Sequence, residues 1–453
     1  MPEALLWAPR AWVDGRWRER VLLQAGADGH WQQVQPDTPA PEAAQQLPAP
    51  VIPSLVDAHS HAFQRAFVGL AERRDSAHDD FWSWRDRMYG VALRITPAQL
   101  RAVAAHLYTE LLAGGYTQVC EFHYLQHQVD GSAYDDPATM GWALADAAAD
   151  AGIGLTLLPT LYERAGFTAA ALRDDQRRFR ADTAAVLALQ RAFSHSGRPL
   201  LNAGAAIHSL RAARPESLHD LAARCDGPVH IHIAEQQAEV RDCLASTGCR
   251  PIEWLLRHAS PDRRWQLVHA THSVPSEIEG LARCGAGVVL CPGTEANLGD
   301  GLPDLGGWLR TGVPLSLGSD SQVTRSWSEE LRWLEYTQRL LQQQRCVAAA
   351  PGQQASTAAR LFDRMLAGGA AAAGFERWGL QLGARADLLL LHAEDPALIG
   401  VPGPQLLDAL VFAAPARPFQ RVMVAGRWVD PAPAALAARH AAAMQALWPA
   451  DST

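Results

Sequence analysis

The sequence predicts an α/β fold: a (β/α)8 TIM-like barrel with a small β domain built from both chain ends. Three observations lead to this prediction. Eight apolar segments of strand type alternate with helical segments along the middle of the chain. The two chain ends resemble each other, since both consist of short aromatic and β-branched runs separated by turns. The length of 453 residues suits one large barrel with an accessory domain.

Residues 1–52 are predicted to form the first part of the small β domain. They contain the runs "AWVDGRW" and "AGADGHWQQVQ", and a Pro/Ala/Gln stretch, "PDTPAPEAAQQLPAP", then leads to the first apolar strand. Residues 379–453 are predicted to form its second part and a terminal helix. Their strand-like runs are "ADLLLLHAEDP" and "QRVMVAGRWVD", and the helix is the Ala-rich "PAALAARHAAAMQALW".

Residues 53–378 are predicted to form the barrel. Its first strand candidate begins two residues earlier, at the end of the preceding segment. Its eight strand candidates are, in order, "VIPSLVDAHSH", "TQVCEFHY", "IGLTLLPTL", "LNAGAAIHS", "PVHIHIAE", "WQLVHATHS", "AGVVLCPG" and "VPLSLGSD". Strands that alternate with helices imply a parallel sheet, and eight of them imply a closed barrel.

The helix before the second of these strands shows the strongest pattern. Thr96 can cap it, Pro97 fits the first helical position, and Gly114 with Gly115 ends it. One apolar face is predicted, formed by Leu100, Val103, Ala104, Leu107 and Leu111.

Composition excludes several classes of function. The net charge of −8 and the lack of a Lys/Arg run argue against nucleic-acid binding. The chain has no membrane-length apolar stretch and no recognisable signal peptide. Its seven cysteines are scattered without a C-x-x-C pair, which fits a reducing compartment and argues against a cysteine zinc site. A cytoplasmic protein is therefore expected.

Polar side chains stand at the carboxyl ends of four predicted strands, where barrels of this type carry their chemistry. These are His59 and His61, His232 with Glu235 three residues later, His269, and Asp320. Because strand side chains alternate, His59 and His61 project to the same side. Three imidazoles and a carboxylate suit a first-row divalent metal, zinc first, with iron and manganese also open.

Each of these residues also has a structural interpretation. A histidine at a strand end can be a satisfied polar residue, and Glu235 can be a first-turn acid that favours the helix dipole. The functional interpretation of Glu235 is a general base and acid beside activated water. His269 could ligate a second metal, orient water or polarise the substrate. His230 and His272 are interpreted as structural.

The chain contains no lysine, and all 40 of its basic residues are arginine. Schiff-base, P-loop and carbamylated bridging lysines are therefore excluded. Because two-metal sites of this architecture commonly use a carbamylated lysine, a single metal is predicted, with His269 as a second catalytic group.

The combination of H-x-H, H-x-x-E, a later strand-end histidine and a last-strand aspartate resembles the amidohydrolase superfamily, in particular its metal-dependent deaminases. Six strings, in order along the chain, are similar to the formimidoylglutamate deiminases of bacterial histidine degradation. They are "HSHAFQRAFVGLAE", "FWSWRDRMY", "GYTQVCEFHYLQH", "AIHSLRA", "HIHIAEQ" and "CPGTEANLGDG".

The resemblance implies a reaction and a catalytic centre. N-formimino-L-glutamate and water would give N-formyl-L-glutamate and ammonia. The resemblance implies one divalent metal ion per chain, Zn²⁺ first, held by His59, His61, His232 and Asp320. It further implies that Glu235 shuttles protons and that His269 activates water or holds the tetrahedral centre, with Glu235 or Asp320 taking the proton of water.

The resemblance also implies a small-molecule dicarboxylate as the partner, and a homodimer as the assembly. Arg85 and Arg211 match the carboxylate-binding positions of the family, and the arginine fork suits carboxylates. Gln64, Tyr124 and His208 match its hydrogen-bonding positions. The aromatic segment 81–89 could be a loop over the site or part of the core.

Two rival functions remain open from the sequence. A deaminase of another guanidino, pterin or purine substrate would keep every metal ligand, but a purine pocket would not need both Arg85 and Arg211. A binding or scaffolding protein descended from such an enzyme would be expected to lose metal ligands, and this chain has the complete set.

Overall fold

The computed structural model describes residues 4–72, 81–392, 394–414 and 418–449. The strands of this part are β1 Ala4–Val13, β2 Arg16–Ala25, β3 Trp31–Gln35, β4 Gln45–Gln46, β5 Val51–Ile52, β6 Leu55–Ser60, β7 Tyr116–His123, β8 Gly154–Leu161, β9 Leu201–Ala203, β10 Ala205–Ile207, β11 Val229–Ile233, β12 Trp265–His269, β13 Gly287–Leu290, β14 Leu315–Leu317, β15 Leu388–Leu391, β16 Phe419–Val424 and β17 Arg427–Val429.

Its α-helices are α1 Phe81–Ala92, α2 Pro97–Ala113, α3 Thr139–Ala151, α4 Thr183–Ser194, α5 Pro215–Arg224, α6 Gln237–Thr247, α7 Pro251–His258, α8 Pro275–Cys284, α9 Pro292–Leu298, α10 Leu305–Thr311, α11 Trp327–Gln342, α12 Thr357–Ala372, α13 Leu406–Phe412 and α14 Ala434–Leu447. Short 3-10 helices occur at Ala62–Phe67, Asp174–Gln176 and Gly403–Gln405. No described helix is long and apolar enough to cross a membrane.

Strands β6 to β14 form one parallel sheet that closes on itself, with the neighbour order β10-β11-β12-β13-β14-β6-β7-β8-β9 and a further β10–β8 pairing. The seam pairs Leu317 of β14 with Asp57 of β6. The predicted fourth strand is divided into β9 and β10 around Gly204. A Cβ there would lie 2.3 Å from the Pro228 carbonyl oxygen, so this close approach requires glycine. The predicted barrel fold is confirmed.

Helices surround this sheet, and α2 shows why the sequence forms them. The Thr96 side chain accepts a hydrogen bond from the Gln99 amide, and Pro97 occupies the first turn, which is a favourable start for a helix. The five residues of its predicted apolar face are all buried. The predicted threonine cap, the predicted apolar face and the predicted end at Gly114 are all confirmed for this helix.

The strands of both chain ends join in a second sheet, in the order β17-β16-β15-β5-β1-β2-β3, with β4 paired to β1. This sheet contacts the barrel through buried polar groups. Thr117 on β7 donates a hydrogen bond of 2.6 Å to Asp387, and Trp12 on β1 donates one of 2.8 Å to Asp363 on α12. The terminal helix α14 lies against α2, where the rings of His440 and His106 stack.

Candidate active site

A cavity opens at the carboxyl ends of the barrel strands. It brings together most of the residues that the sequence analysis selected. Its lining includes His61, Gln64, Arg85, Tyr124, His208, Arg211, His232, Glu235, His269 and Asp320. His59, the remaining selected residue, is fully buried directly below the cavity, with its ring 4.7 Å from that of His61.

Three imidazoles converge at the bottom of this cavity. The Nε2 atom of His232 lies 3.1 Å from Nε2 of His59 and 3.3 Å from Nε2 of His61. Asp320 joins them, since its Oδ1 atom lies 3.4 Å from Nε2 of His59 and 3.5 Å from Nε2 of His61. The H-x-H pair, the strand-end histidine of β11 and the aspartate after β14 therefore form one cluster.

Hydrogen bonds on the far side of two rings determine which nitrogen carries the proton. Nδ1 of His61 lies 2.9 Å from the Phe122 carbonyl oxygen, and Nδ1 of His232 lies 2.9 Å from the His208 carbonyl oxygen. A carbonyl only accepts, so each Nδ1 carries the hydrogen and each Nε2 presents a lone pair. Two lone pairs facing each other at 3.3 Å repel unless a cation lies between them.

The protonation states of the cluster agree with this conclusion. Burial lowers the pKa of His59 to about 3 and also lowers the pKa values of His61 and His232, so all three imidazoles are neutral at physiological pH. Burial raises the pKa of Asp320, but its hydrogen bond with His59 and the neighbouring imidazoles bring it below its usual range. Neutral imidazoles and an ionised carboxylate are the forms that bind divalent metals, so these residues fit such an ion.

The backbone is strained where the strands release these side chains. His269 and Asp320 both lie in the left-handed region, with φ of 69° and 47°. Such conformations cost roughly 1–3 kcal/mol in a non-glycine residue and cluster at functional sites. In this site they turn the chain immediately after β12 and shortly after β14, where the side chains enter the cavity.

Glu235 and His269 lie beside the imidazole cluster. Nε2 of His269 lies 3.8 Å from Oε1 of Glu235 and 3.7 Å from Oδ2 of Asp320. Burial raises the pKa of Glu235 to about 7, and the charge of His269 limits that rise. Burial lowers the pKa of His269, but the charges of Glu235, Glu295 and Asp320 outweigh it and raise the pKa to about 10. Glu235 can therefore exchange a proton near neutral pH beside a cationic imidazole.

Glu295 contacts His269 on the side of the ring away from the cavity, and it was not among the residues predicted from the sequence. Oε1 of Glu295 lies 3.3 Å from Nδ1 of His269 and accepts a 2.9 Å hydrogen bond from the Cys291 amide. Donor atoms of His269, Cys291 and Glu295 come close enough to hold a metal ion. Burial raises the pKa of the Cys291 thiol, however, and a protonated thiol is a poor ligand. Glu295 follows the carboxyl end of β13, so the strand-end argument could have identified it.

The candidate substrate-binding residues form the wall between the imidazoles and solvent. Gln64 donates a 3.4 Å hydrogen bond to the Tyr124 hydroxyl, and the Tyr124 ring packs edge-on against His61. The His208 ring lies 5.3 Å from that of His232. Burial lowers the pKa of His208, and the nearby charges of Arg211 and Arg85 lower it further. Both arginines line the same cavity as His208.

The aromatic segment 81–89 is helical, as part of α1. The side chains of Phe81 and Trp82 lie outside the described residues, whereas Trp84 packs against Phe67 and lines the cavity. Three polar residues of the lining were also missed. Tyr89 ends the aromatic run and Tyr162 directly follows β8, so both carried a signal, whereas Gln176 lies in a short 3-10 helix that no sequence pattern indicated.

The two histidines interpreted as structural lie outside the cavity lining. Nε2 of His230 lies 2.8 Å from the Ala372 carbonyl oxygen, below the active-site end of the barrel. Nδ1 of His272 lies 2.8 Å from the side-chain amide of Gln237.

Comparison with known proteins agrees with the fold and the site. A model of the amidohydrolase family matches residues 51–429. The formimidoylglutamate deiminase of Pseudomonas aeruginosa PAO1 is 45% identical over 430 residues, covering 94% of this chain and 94% of that protein. An amidohydrolase structure from Brucella melitensis superposes with a TM-score of 0.92 at 39% identity, over 98% of this chain and 99% of that chain.

A more distant structure, an adenosine deaminase from Xanthomonas campestris with bound zinc, shares the fold, with a TM-score of 0.79 at 23% identity over 98% of each chain. The resemblance noted in the sequence is thus confirmed by the family match and by the 45% identity to the deiminase. The chain belongs to the amidohydrolase family.

Proposed function

We propose that this protein is a metal-dependent hydrolase that converts N-formimino-L-glutamate and water into N-formyl-L-glutamate and ammonia, a step of histidine degradation. One observation carries the proposal: a cavity that ends at three imidazoles and a carboxylate is also lined by two arginines. The formimidoylglutamate deiminase of Pseudomonas aeruginosa, related over most of both chains, supports the same reaction.

The charge of the cavity favours a small dicarboxylate as its ligand. We propose that Arg85 and Arg211 bind the two carboxylates, because a planar guanidinium can donate two parallel hydrogen bonds to each. Gln64, Tyr124 and His208 are proposed to hold the substrate by further hydrogen bonds. A purine carries no such pair of negative charges, so a purine pocket would not need both guanidinium groups.

His59, His61, His232 and Asp320 are proposed to hold one divalent metal ion. When bound, the ion supplies Lewis acidity, which makes water a usable nucleophile near neutral pH. Three of these residues are neutral donors, and Asp320 contributes the single negative charge of the set.

Glu235 is proposed to move the protons. Its carboxylate takes a proton from the attacking water as the new C–O bond forms at the formimino carbon. It gives this proton to the terminal nitrogen. It then takes the remaining proton from the added hydroxyl and passes it to the same nitrogen, so that the C=O bond forms, the C–N bond to that nitrogen breaks and ammonia leaves. The pKa of about 7 caused by burial suits a group that must both accept and donate a proton.

His269 is proposed to act as a fixed positive group beside this exchange. Its Nε2 faces both Glu235 and Asp320, at 3.8 and 3.7 Å. A cationic imidazole at this position stabilises the negative charge that develops on the attacking oxygen. Glu295 would keep the ring turned so that Nε2 points into the cavity.

The test measures ammonia release from N-formimino-L-glutamate by the purified protein, with the product identified by mass. The assay is repeated after chelation and after restoration of Zn²⁺. Ammonia and N-formylglutamate, lost on chelation and regained with metal, are expected. Glutamate and formamide would instead show that the other C–N bond breaks. Absence of turnover by the metal-loaded protein would contradict the substrate, and guanidino, pterin and purine compounds would then be screened.

We further propose zinc as the metal, a homodimer as the assembly and the cytoplasm as the location. Imidazole-rich sites suit zinc, and all seven cysteines are free, in keeping with a reducing compartment. Elemental analysis of the purified protein identifies the metal. Light scattering coupled to size exclusion measures the assembly, and a mass of about one chain would contradict the dimer.

A further inference from the structure

A second polar group lines the cavity beyond the residues assigned above. Tyr89, Tyr162 and Gln176 are 5%, 4% and 2% exposed, yet all three contribute to the cavity wall. The proton transfers at Glu235 do not involve them. Burial of a polar group without a hydrogen-bond partner costs free energy. The hydrogen bonds that these three side chains already make therefore indicate which donors are left for a ligand in the cavity.

The orientation of the Gln176 amide is determined by the backbone. Its Oε1 accepts a 3.1 Å hydrogen bond from the Arg173 amide, so its NH2 group must face the other way. There Nε2 donates to the Tyr89 hydroxyl at 3.3 Å and to the Tyr162 hydroxyl at 3.0 Å. Both N–H bonds of the amide are therefore used by the two tyrosine oxygens.

This arrangement leaves a hydroxyl hydrogen for a ligand. Both tyrosine oxygens already accept from Gln176, and the two hydroxyls also interact with each other. Only one of the two tyrosine hydroxyls can donate its hydrogen to the other tyrosine. The second hydroxyl hydrogen is therefore available to a ligand in the cavity. Burial raises the pKa of Tyr162, which keeps it a neutral donor. A donor prepared in this way matches an anionic oxygen.

The group lies two to three ring contacts from the imidazole cluster. The Tyr162 ring lies 4.3 Å from that of His208, which lies 5.3 Å from that of His232. Tyr89 is reached from His61 through Tyr124 and Phe179, with successive ring distances of 5.1, 5.1 and 5.5 Å. The Arg85 guanidinium lies 5.5 Å from the centre of the Tyr89 ring, so a positive charge accompanies the hydroxyls at this end.

We propose that Tyr89, Tyr162 and Gln176, together with Arg85, form the subsite for the distal carboxylate of the substrate and so select a substrate that carries this charge. This inference rests on the proposed function. The formimino carbon has to lie at the imidazoles, and the side-chain carboxylate is the part of the molecule that extends farthest from it. Hydroxyl donors separated from the imidazoles by two to three rings are therefore placed to meet that carboxylate.

The test compares two substrates with the same carbon skeleton, with and without the distal carboxylate, N-formimino-L-glutamate and N-formimino-L-norvaline. In Tyr162→Phe and in Tyr89→Phe, kcat/KM for the glutamate compound should fall about 10- to 100-fold, as expected for a hydrogen bond to a charged group. The value for the norvaline compound should stay unchanged. Tyr336→Phe, at an exposed position on α11, is the matched control and should change neither value.

Equal losses with both substrates would show a merely structural role and overturn the inference. Failure of the parent protein to hydrolyse N-formimino-L-glutamate would overturn the proposed function instead. The subsite is then tested without turnover, by calorimetric binding of glutarate and pentanoate. A preference for glutarate that Tyr162→Phe abolishes supports the subsite, and equal binding of both acids by the parent overturns it.

Discussion

At the scale of single residues, the site depends on how burial and neighbouring charges set the proton affinity of each group. Glu235 and Asp320 are carboxylates in one cavity, yet burial raises the pKa of Glu235 to about 7, whereas imidazole contacts outweigh burial at Asp320 and lower its pKa. The two similar side chains are thus suited to the different tasks proposed for them, proton exchange for Glu235 and metal binding for Asp320.

Replacement of Glu235 by glutamine should remove proton exchange and leave the shape of the cavity intact. We expect kcat to fall by about 10²- to 10⁴-fold, the usual contribution of general acid–base catalysis, while the metal content stays the same. Steady-state ammonia release and elemental analysis measure the two quantities. Glu216→Gln, at an exposed position on α5, is the control. A variant that retains full kcat would exclude Glu235 as the proton carrier.

Glu295 should act through His269. Glu295→Ala removes the acceptor at Nδ1, which frees the ring to rotate, so kcat should fall about 10- to 100-fold, as for other groups that orient residues of a metal site. Glu295→Gln keeps an oxygen that can accept from His269 and from the Cys291 amide, and it should recover most of that loss. Measurement of kcat and KM for both variants tests this, and equal defects would contradict a positioning role.

At the scale of secondary-structure elements, helix α12 packs so closely on the barrel that one position requires glycine. A Cβ on Gly368 would lie 1.9 Å from the Leu315 carbonyl oxygen of β14. Gly368→Ala should lower the free energy of unfolding by about 1–3 kcal/mol, since added atoms in a packed contact force neighbours apart. Urea titration measures this.

The matched control for that substitution is Gly90→Ala in α1. A Cβ on Gly90 meets nothing within 4 Å. Because alanine favours helices over glycine, this variant should be unchanged or up to about 1 kcal/mol more stable. If both variants behave alike, the close packing of α12 does not limit stability.

The contact between β1 and α12 should make stability depend on pH. Burial raises the pKa of Asp363 to about 6, and the hydrogen bond from Trp12 limits the rise. The folded protein then binds this proton more tightly than the unfolded chain, so stability falls as the pH rises from 3.8 to about 6 and is constant above.

Asp363→Asn should abolish that component, because asparagine keeps an acceptor for Trp12 but does not ionise. Between pH 4 and pH 7 the variant should gain about 1–2 kcal/mol in free energy of unfolding relative to the parent, allowing for partial solvent exposure. Urea titrations of both proteins across this range test the sign. A gap that narrows as the pH rises would contradict the raised pKa.

The elements that the sequence predicted well are those with a local cause. Alternating apolar segments predicted all eight barrel strands, and a threonine cap with a following proline predicted the start of α2. The division of one strand at Gly204 was missed, because it depends on the Pro228 carbonyl of another segment. Gln176 was missed for the same reason: only the fold brings its amide to two tyrosines distant in the sequence.

At the scale of the whole molecule, one buried ion pair joins the second sheet to the barrel. Arg385 and Asp387 lie 2.6 Å apart, with side chains 7% and 2% exposed. Arg385 also donates to the Gln118 side chain at 2.7 Å and to the Thr117 carbonyl at 2.8 Å, both on β7. Asp387 accepts from Thr117 and from the Ala425 amide, next to β16. The pair therefore satisfies polar groups on both sheets.

Asp387→Asn should destabilise both sheets together, because it leaves the Arg385 guanidinium buried without a counter-charge. The expected loss is about 3–5 kcal/mol in free energy of unfolding, typical of breaking one partner of a buried pair. Asp220→Asn is the control, since its pair with Arg224 on α5 is about half exposed on each side and should contribute at most about 1 kcal/mol.

Circular dichroism and tryptophan fluorescence during urea unfolding measure both losses. Because the pair connects the two sheets, the two signals should shift to lower urea together. A shift no larger than that of the control would mean that contacts other than this pair hold the sheet and the barrel together.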